Sequence, residues 1–247
     1  MDRFDRLTTL IDRFKLVVRA APFDQATLLV LGGTDRTPER VWFLPTGASK
    51  TLSTETILFS AHVDWNGQTN PLVAALPSKI EIDLRTDPDC IGLIMLMLTE
   101  MNAQRCGVGS VLSRLGEVLI VRILREQIEA GSTQPGLLAG LSDPRISRAI
   151  VTMHDRPGHD WRNEDLAQIA GLSLSRFAEL FLARVGETPA AYLRRWRLSL
   201  AQQDIMKGDR IDAVARRYGF SSPEGFTRAF KKRYGVTPIS QRQQTIT

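Results

Sequence analysis

Apolar and polar positions along this chain follow two different periods, and the change of period divides it. Between residues 26 and 85 the apolar positions fall in short runs: ATLLVLGG (26–33), RVWFLP (40–45), ETILFSAHVDW (55–65) and KIEIDL (79–84). In the last of these Ile80, Ile82 and Leu84 alternate with charged neighbours, the signature of a strand with one buried face. Turn residues at Gly32-Gly33, LPTGAS (44–49), WNGQTNP (65–71) and Pro88 separate the runs. A small antiparallel β unit is predicted. Beyond it the period lengthens to that of a helix, in CIGLIMLMLTEMNAQ (90–104) and GSVLSRLGEVLIVRILREQIEAG (109–131). In the second helix Val111, Leu115, Val118, Leu119, Arg122, Ile123 and Glu126 fall near one stripe, widened by Leu112 and Ile120. A stripe that wide suits burial against both a sheet and another helix.

The C-terminal part repeats itself. LAQIAGLSLSRFAELFLARVGETP (166–189) aligns with VARRYGFSSPEGFTRAFKKRYGVTP (214–238). Ala167 and Gly171 match Ala215 and Gly219 at an offset of 48; Phe177, Phe181, Gly186 and Pro189 match Phe226, Phe230, Gly235 and Pro238 at an offset of 49. Each copy has the mechanics of two helices joined by a tight turn. A first helix (Glu164–Ala170; Ile211–Tyr218) carries a small alanine where a second must cross it closely. A glycine then supplies the positive φ of the turn. Ser173, and Ser221 or Ser222, offer an N-cap oxygen to the second helix, and Ser221 with Glu224 has capping-box spacing. Pro223 is tolerated in a first helical turn, the phenylalanine pairs four residues apart share an inward face, and Gly186 and Gly235 end the helices. Between the copies, PAAYLRRWRLSLAQQDIMKG (189–208) places Tyr192, Leu193, Trp196, Leu200 and Ile205 at roughly helical spacing. A helix of about 18 residues spans ~27 Å, close to the ~34 Å between successive major-groove faces of one side of B-DNA.

Charge separates the same two parts. Residues 1–142 carry 14 Lys and Arg against 16 Asp and Glu, net −2; residues 143–247 carry 18 against 11, net +7. Only the back half is suited to a polyanion. The longest apolar run, Ile91–Leu98, is far short of the ~20 residues of a membrane helix. The mixed-charge start MDRFDRLTTLIDRFK is unlike a secretion signal. No membrane partner and a cytoplasmic location are expected. Cys90 and Cys106 form no CxxC or Cys/His cluster, so two separated buried thiols are expected rather than a zinc site. His62, His154 and His159 are the only histidines. His62 has only Asp64 and Glu81 near it in sequence pattern, and His154 and His159 read as loop or helix-end residues. No metal, no cofactor and no catalytic residues are expected; LGGTDR is too short for a dinucleotide fingerprint, and no Ser-His-Asp order stands out.

Residues 143–243 resemble the DNA-binding domain of AraC/XylS-type transcription regulators, with GFSSPEGFTRAFKKRYGVTP similar to the family signature around the second helix-turn-helix. The resemblance implies seven helices, near 144–156, 164–171, 174–184, 189–206, 211–218, 222–233 and 238–244. Two departures stand out: Gln241-Arg242 replaces the usual Tyr-Arg after the final proline, and Gly225 presents no side chain. In front, NPLVAALPSKIEIDL and RLGEVLIVRILR resemble the cupin-type sensor domains of a subgroup, in which the two helices help dimerise. The β part is short for a full double-layered barrel, and the early strands are missing. Some relatives have a cysteine where this chain has Ser60. The expected architecture is therefore α+β, with a small antiparallel, cupin-like domain at 1–142 ending in a helix pair (90–131). An all-α domain with two helix-turn-helix units follows at 143–247.

On the first recognition helix the positions spared by the core are Ser175, Arg176, Ala178, Glu179 and Leu182; the family's base-facing positions match Ser175, Ala178 and Glu179. Serine makes single hydrogen bonds, alanine meets a thymine methyl, and glutamate accepts from cytosine N4. On the second helix the outward set is Pro223, Glu224, Gly225 and Arg228, with Arg228 fitted to guanine O6/N7. Arg194, Arg195, Arg197, Thr227, Lys231, Lys232 and Arg233 are candidates for phosphate, as are the helix starts at Ser173 and Ser222. The resemblance implies a sequence-specific regulator of double-stranded DNA and favours an effector-responsive activator that contacts RNA polymerase as a homodimer, its small-molecule effector unidentified; repression by occlusion is equally compatible with the sequence. Two other classes stay open at this point: a cupin metalloenzyme with an appended basic domain, and a nonspecific architectural DNA binder.

Overall fold

The computed structural model describes residue 5 and residues 7–47, 56–65, 71–132 and 134–246. Its elements run α1 (Thr8–Phe14), β1 (Val17–Ala20), β2 (Leu28–Gly32), β3 (Pro38–Phe43), β4 (Thr56–Asp64), α2 (Pro71–Ala75), β5 (Ile80–Asp83), a 3-10 turn at Leu84–Thr86, α3 (Pro88–Ala103), α4 (Val108–Ala130), α5 (Leu137–Ser142), α6 (Ile146–Asp155), α7 (Asn163–Ala170), α8 (Leu174–Val185), α9 (Pro189–Met206), α10 (Ile211–Arg217), α11 (Pro223–Tyr234) and α12 (Pro238–Ile246). The architecture is α+β, an antiparallel sheet with a helix pair followed by an all-α part. Two compact units divide within α4. Phe14–Gln127 forms one; the other joins the segment ending at Arg13 to the residues from Ile128 onward.

In the first unit the strands form one antiparallel sheet in the order β1-β4-β2-β3-β5. Its register sorts the two faces. Leu28 pairs with Phe43 and Ala61, Val30 with Val41 and Phe59, Val41 with Ile82, and Phe43 with Ile80. All of these side chains are buried, so this face is wholly apolar. The predicted alternation of Ile80, Ile82 and Leu84 is thus an inward row. The opposite face is mixed. Ala26, Leu29, Leu31 and Trp42 form a small cluster with Phe23 and Ile57, beside an Arg40–Glu81 ion pair at 3.3 Å and Lys79 Nζ 3.5 Å from the Trp42 ring centre. Gly32 is needed for space: a Cβ there would lie 2.6 Å from the Thr37 carbonyl oxygen. The left-handed residue of that hairpin is Arg36, φ 63°. Of the WNGQTNP turn, residues 66–70 lie outside the described residues.

One early strand is present after all. β1 pairs with β4, Val18 opposite Val63; at four residues, with Arg19 inside it, it is too short to show a period. The helix pair follows as expected, but its buried stripe is rotated from the predicted one. Leu112, Leu119, Ile120, Ile123, Leu124 and Ile128 are buried, whereas Val111 and Val118 are 38% and 50% exposed. The cause is Gly116, where α4 crosses β1 so closely that a Cβ would lie 2.6 Å from Val18 Cγ1. The line of closest approach, not the centre of the apolar arc, decides which residues are covered. Asp87 joins the two helices. Its carboxylate caps α3 by accepting from Cys90 N at 2.9 Å and also receives Arg122 Nη2 of α4 at 3.1 Å. Cys90 is buried as expected; Cys106, in the turn between the helices, is exposed.

In the second unit α6 to α12 reproduce the seven predicted helices within two residues at each boundary. Two elements were not foreseen. α5 is a short helix with every residue from Leu137 to Leu141 buried. α1 buries Leu10 and donates from Thr9 Oγ1 to Asp155 Oδ1 at 2.5 Å. No single helix among the described residues is long and apolar enough to cross a membrane.

Candidate nucleic-acid interface

The two repeated segments fold into the same local structure because the same backbone groups are satisfied in the same way. α7 ends at Gly171 (φ 69°), where Leu172 N donates to Ala167 O at 2.9 Å. α10 runs into Gly219 (φ 68°), where Phe220 N donates to Ala215 O at 3.0 Å. α8 and α11 then leave at Gly186 (φ 83°) and Gly235 (φ 77°), each N–H returning to the carbonyl four residues back at 2.9 Å. Such left-handed caps favour glycine because it lacks a Cβ. The helix starts differ. Ser222 caps α11 with its hydroxyl, accepting from Gly225 N at 3.0 Å. This places the third helical residue at Gly225, so the expected Ser221–Glu224 box does not form. Ser173 occupies the N-cap of α8 but makes no side-chain cap bond.

Aromatic rings fix the second helices from below. Phe177 and Phe181 lie 5.6 Å apart and Phe181 meets Tyr192 of α9 edge-on at 5.7 Å; Phe226 and Phe230 are likewise 5.7 Å apart. His154 is a helix-end residue, in the last turn of α6, and it is fully buried, stacked 3.9 Å from Trp196, with Nε2 2.7 Å from the Tyr192 hydroxyl. Burial pushes its pKa down to about 3, so the imidazole is neutral. His159 is an exposed loop residue, as expected, and His62 is an exposed strand residue whose Nδ1 lies 3.1 Å from Gln25 O.

α9, 18 residues long, is held to both repeats. At its far end the Asp204 carboxylate receives Arg217 Nη1 at 2.5 Å and the Tyr218 hydroxyl at 2.6 Å, and Arg217 also reaches Asp209 at 2.7 Å. In its middle Arg197 donates Nε to Pro157 O at 2.6 Å and Nη2 to His159 O at 2.7 Å. That loop packs backbone-to-backbone on the turn of the second repeat. A Cβ on Gly158 would overlap the Arg217 carbonyl oxygen, and one on Gly219 would lie 2.8 Å from Gly158 O. The segment before the first repeat thereby buttresses the turn of the second. Nothing in the local sequence pattern signals this, since the partners lie about 40 and 60 residues apart.

Against this frame the candidate contact residues separate. Ser175, Arg176 and Glu179 are exposed on α8 and Ala178 is half-buried; Arg176 Nη1 lies 3.4 Å from Glu179 Oε2. Pro223, Glu224 and Arg228 are exposed on α11, with Gly225 and Thr227 half-buried. Arg194, Lys231, Lys232 and Arg233 are exposed, as is Ser173 at its helix start; Ser222 is half-buried and engaged as a cap. Two phosphate candidates are instead used inside the fold. Arg195 is paired with Glu187, with Nη2–Oε1 at 2.6 Å, and lies over the Tyr192 ring. Arg197 is the loop clamp, its pKa lowered by burial. A guanidinium held by internal acceptors has few N–H groups left for a phosphate. Among the described residues no group of three or more His, Cys, Asp or Glu side chains could hold a metal ion.

Comparison with known proteins follows the same division. Residues 166–244 match the helix-turn-helix domain family and residues 17–129 the cupin family. An HTH-type transcriptional regulator of Haemophilus influenzae is 30% identical over 173 residues, 70% of this chain and 58% of that one. AlkR, an HTH-type transcriptional regulator of Acinetobacter baylyi, is 33% identical over 191 residues, 75% and 62% of the two chains. RclR of Escherichia coli, an RCS-specific HTH-type transcriptional activator, is 32% identical over 152 residues, 61% and 54%. The chain therefore spans between half and two thirds of the length of these relatives. Among solved structures, a transcriptional regulator of Chromobacterium violaceum with an AraC-type DNA-binding domain is similar over 42% of this chain and 94% of that one, at 26% identity and a TM-score of 0.40. With two capped repeats, a matched helix-turn-helix segment and a matched cupin segment ahead of it, the chain is similar to AraC-like transcription regulators, among them one of Streptomyces antibioticus that is 34% identical over 149 residues, 60% of this chain and 49% of that one.

Proposed function

We propose that this chain is a sequence-specific transcription regulator that places α8 and α11 in successive major grooves of one face of double-stranded DNA, with 143–247 as the part that meets DNA. The observation that carries the reading is the pair of like-capped repeats, each presenting an exposed second helix, joined by a helix of 18 residues. Arg228 is the leading base contact. It is exposed, no acidic side chain among the described residues pairs with it, and its planar fork matches guanine. Selection of binding sites from a random duplex pool is expected to enrich two short boxes about one helical turn apart. Arg228→Ala is expected to lose ~1–3 kcal/mol of binding and the preference at one position. Binding of all duplexes with nearly equal affinity would favour the architectural class instead, and stoichiometric metal in the purified protein would favour the enzyme.

The same reading takes the protein to be a cytoplasmic homodimer that contacts RNA polymerase as an activator. Exposed Met95 and Leu96 on α3, with Val111 and Val118 on α4, support dimerisation through the helix pair; sedimentation of a monomer at micromolar concentration would count against it. An open apolar pocket of about 470 Å3, lined by residues that include Ile57, Leu58, Phe59, Met101 and Leu112, supports an apolar rather than a charged effector.

A further inference from the structure

The outward faces of α8 and α11 differ in chemistry. At 100° per residue, Leu174, Ala178, Leu182, Ser175 and Glu179 fall within one arc of ~140° on α8, while Phe177, Leu180 and Phe181 fall outside it and are buried, as is Val185 at the end of the helix. Leu174 and Leu182 are 44% and 50% exposed. Both basic side chains of this helix have acidic partners: Arg176 Nη1 lies 3.4 Å from Glu179 Oε2, and Arg184 Nε 3.7 Å from Asp143 Oδ2. α11 differs, with Arg228, Lys231 and Lys232 all exposed and paired with no acid among the described residues. A single exposed leucine is ordinary. Here two leucines, with an alanine between them at four-residue spacing, line a face that otherwise offers a serine and an ion pair.

Base edges in the major groove present donors and acceptors, and one apolar group, the 5-methyl of thymine. An apolar stripe continuous with the proposed DNA-facing surface has that group as its complement. We infer that the first repeat reads thymine methyl groups, with Leu174 and Ala178 in the leading half of α8 and Leu182 extending the row. The second repeat anchors on guanine and phosphate through its free cations. Leu174 to Leu182 spans ~12 Å, or three to four base steps. The inference rests on the reading of the chain as a sequence-specific DNA binder.

The test uses the full chain and a duplex recovered by selection. The box whose preference changes in Arg228→Ala belongs to α11; the other box belongs to α8. Each thymine of the α8 box is replaced by deoxyuridine, which lacks only the methyl. The expected result is a loss of roughly four-fold per contacted methyl, with little change when thymines of the other box are replaced. The double variant Leu174→Ala, Leu182→Ala alters only exposed positions and is expected to narrow the gap between thymine and uracil duplexes, with Ala178 keeping what remains of it. Equal affinity of the unaltered chain for both duplexes overturns the inference and leaves the leucines to a protein partner. So does an undiminished thymine preference in the double variant. Failure to enrich any sequence would instead refute the underlying reading, which keeps the two failures distinct.

Discussion

Arg197 and Arg194 are near neighbours on α9, and sequence pattern gives them the same role; the structure gives them opposite ones. Arg197 donates to two backbone carbonyls, Pro157 O and His159 O, at 2.6 and 2.7 Å. Its Nη2 would stand 3.2 Å from a Cβ at Gly219, so the guanidinium lies directly beneath the turn of the second repeat. Hydrogen bonds from a charged donor contribute ~1.5–3 kcal/mol each. Burial of the guanidinium, which also lowers its pKa, offsets part of this. Arg197→Ala is therefore expected to cost ~2–4 kcal/mol, a fall in Tm of about 8 °C or more for a unit of this size. Arg194 is exposed, and Arg194→Ala is expected to leave Tm unchanged. Binding to a selected duplex, titrated by fluorescence anisotropy between 50 and 200 mM salt, completes the comparison. A phosphate contact contributes ~0.9 to the slope of log K against log salt. Arg194→Ala should lower that slope by about one, and Arg197→Ala should preserve it. An Arg197→Ala protein with unchanged Tm and a slope lowered like that of Arg194→Ala would refute the clamp.

Gly158→Ala places a methyl against the Arg217 carbonyl oxygen; with backbone on both sides, a loss of about 1–3 kcal/mol or more is expected in urea denaturation, and an unchanged midpoint would contradict it. His154 adds an acid dependence. Its folded pKa lies near 3, against an ordinary 6.5. The unfolded chain therefore takes up a proton below pH 6.5 that the folded chain refuses. Stability from this residue is complete above 6.5 and falls on acidification toward 3, by about 1.4 kcal/mol per pH unit. His154→Gln should flatten the curve measured between pH 7 and 5, and parallel curves would count against it. The thiols should differ in rate. Cys106 is exposed, whereas burial, with the Asp87 charge, pushes Cys90 up to about 11. A thiol reagent at pH 8 should label one site per chain until the protein is unfolded, and labelling of both at one rate would overturn this.

The repeated helix-turn-helix was legible in the sequence because its determinants are local. Gly171 and Gly219 close turns that depend on backbone conformation at one residue. Phe177 with Phe181, and Phe226 with Phe230, reach one face at a spacing set by helix geometry. Pro189 and Pro238 open helices as their missing N–H allows. The strands of the sheet were legible for the same reason wherever alternation ran long enough, as at Ile80, Ile82 and Leu84, and not at β1, where four residues carry no period. Only the tertiary structure decided what depends on approach between distant segments. Gly116 against Val18 turned the buried stripe of α4 away from Val111 and Val118. Tyr192 and Trp196 enclosed His154 and held it neutral. The carbonyls of Pro157 and His159 claimed Arg197, while Arg194 was left in solvent. A side chain's type and period follow from the chain alone, but which acceptor reaches a guanidinium first, and which face a glycine lets approach, are properties of packing across tens of residues.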